Sequence, residues 1–147
     1  MSQVISLRLR DEQMERVRRL ARRLNKSASE TAATLLEEAL RVSEFAFIQF
    51  RDSPVGRQAY LQGSSLAVWE VVKLVRAYDG DVTHAAESLS WPEVKAQAAL
   101  NYAAAYPMEI EDAIADSQPA FEALAAMLPG IERISASAEP IAQDRPQ

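Results

Sequence analysis

Residues 3–10, Gln-Val-Ile-Ser-Leu-Arg-Leu-Arg, alternate in side-chain character and run straight into a basic amphipathic helix pattern. Successive side chains of a strand point to opposite faces, so Ile5, Leu7 and Leu9 share one face while Val4, Ser6 and Arg8 share the other. One face suits burial and the other suits a ligand. A lone strand leaves its backbone donors and acceptors unpaired and buries too little to persist in water. The segment therefore predicts a strand completed by a second protomer, and with it a dimer.

The charge distribution gives that strand a context. The net charge is −5, but residues 1–26 hold eight Lys and Arg against three Asp and Glu, a net of +5, and the remainder holds eight against eighteen, a net of −10. Electrostatic binding of DNA depends on local neutralisation of phosphates, so a basic head on an acidic body points to a localised polyanion surface and a different partner for the rest. At 147 residues the chain fits one or two small domains with a modest core, and its 48% hydrophobic and 25% charged content is globular in character.

Several classes are excluded or disfavoured. With no cysteine there is no disulfide, thiol nucleophile or thiolate metal site, which is compatible with a reducing compartment. No apolar run approaches the ~20 residues of a membrane span, and the first residues lack a signal-peptide core. The expectation is a cytoplasmic protein. His84 is the sole histidine; a zinc site needs three or four ligands, and no motif places a nucleophile or orienting group beside it. No enzyme activity and no cofactor are expected. Glu109, Glu111, Asp112 and Asp116 form an acidic run in which the first, third and fourth share a helical face, read as a solvated helix start rather than a divalent-ion site.

Along the chain, Asp11 is the expected cap of a first helix, in which Met14, Val17, Leu20, Ala21 and Leu24 recur at three- and four-residue spacing among five arginines. Asn25 and Lys26 interrupt the pattern. Ser27 with Glu30 has the spacing of a capping box for a second helix running to about Arg41.

Strand, helix, capped turn and helix over residues 3–41 resemble the ribbon-helix-helix repressors of bacteria. In that family two chains pair their strands into a ribbon that enters the major groove, above an interlocked four-helix core. The resemblance implies that Ile5, Leu7 and Leu9 face inward, that Val4, Ser6 and Arg8 read bases, and that Arg10 and the start of the second helix at Ser27, Ala28 and Ser29 hold phosphates. Arg8 carries most of the expected discrimination, since its guanidinium can donate two hydrogen bonds to guanine. Val4 departs from the family, whose outermost reading position is often polar.

The second part predicts aromatic, β-prone strands at residues 45–50 and 58–61 around the turn-rich 52–56 segment. A helix from Leu66 should stop near Asp79-Gly80-Asp81. A short helix follows at residues 83–89, and Ser90-Trp91-Pro92-Glu93 has the spacing to cap a third helix at residues 94–106. This is the outline of a helix-turn-helix. Its candidate recognition helix offers one lysine, with Gln97 and Asn101, amid seven alanine and leucine positions, so packing is favoured over DNA contact.

The segments Arg51–Tyr60, Gly63–Val71 and Ser90–Ala103 resemble a bacterial family catalogued as a domain of unknown function, over about residues 47–115. Its members look like VapB-type antitoxins encoded beside PIN-like ribonucleases; many carry Thr-Arg where this chain has Ser64-Ser65. After Ser117-Gln118-Pro119, a further amphipathic helix is expected from Phe121, Leu124 and Leu128, then Ile131, Arg133 and Ile134. The resemblance implies that this C-terminal region wraps a toxin, with Arg133 as the nearest candidate to reach its acidic pocket and Arg145 as a weaker one.

The expected architecture is thus mainly α with short β. It comprises a dimeric ribbon-helix-helix at residues 1–42, a β-hairpin with a helix-turn-helix-like unit at 43–116, and a C-terminal helix or tail at 117–147. The expected function is that of an autorepressing antitoxin of a type II toxin–antitoxin module, homodimeric or higher, with operator DNA and a ribonuclease toxin as partners. The alternative is a stand-alone dimeric transcriptional regulator whose acidic half oligomerises or senses a ligand.

Overall fold

The computed structural model describes residues 1–127, with side chains to residue 118. The chain is mainly helical with one small antiparallel sheet, in the order α1 (Asp11–Leu24), α2 (Ala28–Glu44), β1 (Ile48–Ser53), β2 (Gly56–Leu61), α3 (Val68–Ala77), α4 (Val82–Leu89), α5 (Glu93–Ala105) and α6 (Pro107–Met127). It divides into two compact units, Met1–Ala67 and the residues from Val68 onward.

In the first unit, α1 starts one residue earlier than the acidic cap predicts. Arg10 is the N-cap, with extended backbone, and its amide donates to Gln13 Oε1 at 3.0 Å. Asp11 and Glu12 lie in the first turn, where their charge suits the helix dipole. Asn25 ends the helix in the left-handed region (φ 55°), its amide reaching the Ala21 and Arg22 carbonyls. Ser27 then caps α2, its Oγ accepting from the Glu30 amide at 3.1 Å. This turn of chain is therefore set locally, by two residues with the right side chains or backbone freedom.

The hairpin differs from expectation at its start. Phe45 is the C-cap of α2 and Phe47 sits at φ 63°, a region costly for a bulky residue, so the strand begins at Ile48. The Phe47 carbonyl is secured by the Gln62 amide at 2.7 Å. At the other end the strand continues through Arg51 and Asp52 to a two-residue Pro54-Val55 turn. Ser53 pairs with Gly56 there, and Gly56 takes the positive φ of 110° that the tight turn demands.

The unit's buried residues explain how the hairpin is attached. Within α1 and α2 only Ala21, Thr31 and Glu38 are buried, and the sheet adds Ile48, Ala59 and Leu61. Two helices with so little enclosed apolar surface do not make a sufficient core by hydrophobic burial alone. A polar contact adds to it: Arg57 of β2 grips the Glu38 carboxylate through Nε and Nη2 at 2.7 and 3.1 Å. Burial acts against the charged guanidinium, but the hydrogen bonds to Glu38 and Asp52 outweigh it and raise the Arg57 pKa.

The second unit is built around α5. Ala96, Ala98, Ala99 and Tyr102 are buried, and small alanines let α3, α4 and α6 approach this helix closely. Val68, Val71, Val72 and Val75 supply the facing side of α3. Two local predictions fail here. Ser90 does not cap α5; it closes α4 in the left-handed region (φ 56°), giving its amide to Ala86 and Glu87, while Pro92 takes the N-cap of α5. The short turn leaves Ser90 to satisfy the earlier helix's orphan carbonyls instead. The break expected at Pro119 is also absent, because α6 runs on to Met127.

Candidate nucleic-acid interface

Residues 1–10 are exposed throughout and form no strand within the single chain. Val4 is 96% exposed, Ile5 73% and Leu7 67%. Ile5, Leu7 and Leu9 line an open recess of about 330 Å3 together with Met14 and Val17 of α1 and Ala28, Ser29, Ala32, Ala33 and Leu36 of α2. The three alternate residues thus lie together against the helix pair. The recess continues an exposed stripe on α2, where Leu36 and Leu40 are both about half exposed.

Ser6 and Arg8, placed by the alternation on the other face, are exposed. Arg8, Arg16, Arg18, Arg19 and Lys26 are exposed and make no ion pair among the described residues. Arg10 leans on Glu12 at 3.2 Å and Arg22 on Glu15 at 3.4 Å, both pairs being open to solvent. Exposed pairs of this kind are worth little. At the start of α2, Ser27 Oγ is occupied by its capping bond, while the Ala28 and Ser29 amides have no preceding helical turn to receive them. A set of free cations, free amides and an unpaired backbone edge is chemically suited to a polyanion.

Reasoning from the sequence missed one cluster in this unit. Asp52 accepts from Arg57 Nη1 at 3.1 Å with one oxygen and meets Arg23 Nη2 at 2.8 Å with the other. Glu38, Arg57, Asp52 and Arg23 therefore form a chain across α2, the hairpin and α1. No local pattern signals it, since the partners lie 19 and 29 residues apart. A faint signal existed for Glu38, which follows Thr31 by seven positions and so shares its inward face.

The other candidates sit in the second unit. Gln97 and Asn101 are exposed and bond each other, Nε2 to Oδ1 at 3.0 Å. His84 is exposed and its ring lies 4.3 Å from that of Tyr78. Glu109 accepts from the Tyr102 hydroxyl at 2.6 Å, and Glu111 pairs with Arg76, so two members of the acidic run have protein partners. The Arg76 hydrogen bond holds the Glu111 carboxyl below its ordinary value, with slight burial opposing it. No group of acidic or nitrogen side chains among the described residues is arranged to hold a metal ion. Phe121 and Leu124 fall in α6, but their side chains lie outside the described residues, as do Leu128, Ile131, Arg133 and Ile134 entirely.

Comparison with family models, with curated proteins and with solved structures finds no match to this chain. No helix among the described residues is long and apolar enough to cross a membrane.

Proposed function

We propose that the chain is a homodimeric DNA-binding antitoxin that represses its own operon through paired N-terminal segments and neutralises a ribonuclease through its C-terminal half. The observation that carries the DNA half is the exposed 3–10 segment. Its apolar residues lie over an underfilled helix pair, and Arg8 makes no ion pair among the described residues. A second protomer supplies the missing strand partner and fills the recess, which removes two unfavourable features at once. The ribbon so formed presents Val4, Ser6 and Arg8 to base edges, with Arg10 and the α2 amides beside the phosphates.

The antitoxin half rests on the resemblance of residues 47–115 and on the charge of −10 outside the basic head, which suits a partner other than DNA. A regulator without a toxin is the second reading. It is favoured by the exposed face of α5, where Val94, Gln97, Asn101 and Ala104 offer a neutral surface fit for oligomerisation.

Sedimentation and a gel shift on the chain's own promoter at two salt concentrations test the first half; a monomer, or no shift at low salt, overturns it. Co-expression with the neighbouring gene product and pull-down, with and without residues 121–147, tests the second. Capture that depends on those residues supports the antitoxin, and a lack of any complex leaves the regulator.

A further inference from the structure

Among the described residues, Arg23 is the one arginine of α1 paired with a carboxylate from another element. Asp52, near the hairpin tip, meets Arg23 in the last turn of α1, just before the Asn25–Ser27 turn that leads into α2. It is held from behind: its second oxygen is bound by Arg57, and Arg57 is clamped on Glu38, which is only 7% exposed. Glu12 and Glu15, the partners of Arg10 and Arg22, lie on α1 itself and have no second ion-pair partner among the described residues. Asp52 is an anion held in place against the Arg23 guanidinium.

We infer that Asp52 withholds Arg23 from the DNA backbone, so that the hairpin trims the sequence-independent part of duplex binding. The inference rests on the DNA-binding reading above. Each cation that meets a phosphate releases counterions and steepens the salt dependence of binding by about 0.9 in log K against log salt. An arginine retained by a fixed carboxylate gains little by exchanging it for a phosphate, because it gives up one charge-assisted hydrogen bond to form another. The pair is open to water, Arg23 being 64% and Asp52 44% exposed at the side chain, so electrostatics rather than access decides its fate.

The test measures anisotropy of a labelled mixed-sequence duplex of about three helical turns against salt, using the full chain. Arg23→Gln should leave the salt slope unchanged. Asp52→Asn should raise it by about 0.9 and tighten binding at low salt by roughly three- to tenfold, and the double variant should return to the wild-type slope. Glu44→Gln, at the far end of α2, makes the same change in net charge without freeing an arginine, since Glu44 has no ion pair among the described residues, and should leave the slope alone. A fall of about 0.9 in the Arg23→Gln slope overturns the inference even if the Asp52 variant fails to fold. So does an unchanged Asp52→Asn slope, or an equal rise in Glu44→Gln. Failure of the wild type to bind the duplex overturns the DNA reading itself, and the inference with it.

Discussion

Two arginines of the first unit show how environment assigns different work to the same side chain. Arg8 is exposed and has no ion pair among the described residues, which suits its planar fork to a guanine edge. Arg8→Ala should cost about 1–3 kcal/mol of operator discrimination while leaving the dimer intact. Gel shifts with operator and scrambled duplex check this, and equal operator affinity of mutant and wild type excludes Arg8 as a base reader. Arg57 is instead spent on structure, covering the buried Glu38 carboxylate. Arg57→Met leaves that carboxylate without its fork, and with the pair partly open to solvent the loss should be about 2–4 kcal/mol in urea denaturation. Replacing both residues by methionine should recover most of it, because the stranded charge is then gone. A destabilisation in the single variant no larger than in the double one contradicts this account.

Among the elements, the ends of helices were the most legible part of the chain and also the place where small errors arose. Ser27 announced α2 correctly because a hydroxyl three residues from the orphan amide it serves is a local arrangement. Ser90 carried the same local signature and was used for the preceding helix, since two helices separated by one short turn compete for the same residues. The link between α3 and α6 is likewise a contest between chain segments remote in sequence: Arg76 pairs with Glu111 across 35 residues. Glu111's folded pKa lies below 4.5, so the unfolded state binds its proton first as pH falls, and the stabilisation is complete above 4.5 and lost through the lowered value. Thermal melts of wild type and Arg76→Ala should differ modestly at neutral pH and converge in acid. A gap that persists below that range assigns the effect to something other than this pair.

For the molecule as a whole, the apolar recess beside Ile5, Leu7 and Leu9 dictates that assembly and folding are coupled in the proposed dimer. Leu36→Glu, placing a charge in the exposed stripe of α2, should shift the sedimentation profile toward monomer and lower the melting temperature in a concentration-dependent way. An unchanged dimer removes that face from the interface. What the sequence settled unaided is what depends on near neighbours: helix periodicity in α1 and α2, the serine cap between them, the alternation of residues 3–10, the alanine-rich helix α5, and the split between a basic head and an acidic body. The tertiary structure alone decided that Arg23 answers to Asp52 and Glu38 to Arg57, that Phe47 turns the chain into the hairpin, and that α6 continues past Pro119. Periodicity and capping are energies of adjacent residues and are written in their order. An ion pair between distant segments, or a strained residue held by its surroundings, exists only once packing has brought the parts within a few ångströms, where a charge interaction outweighs local preference.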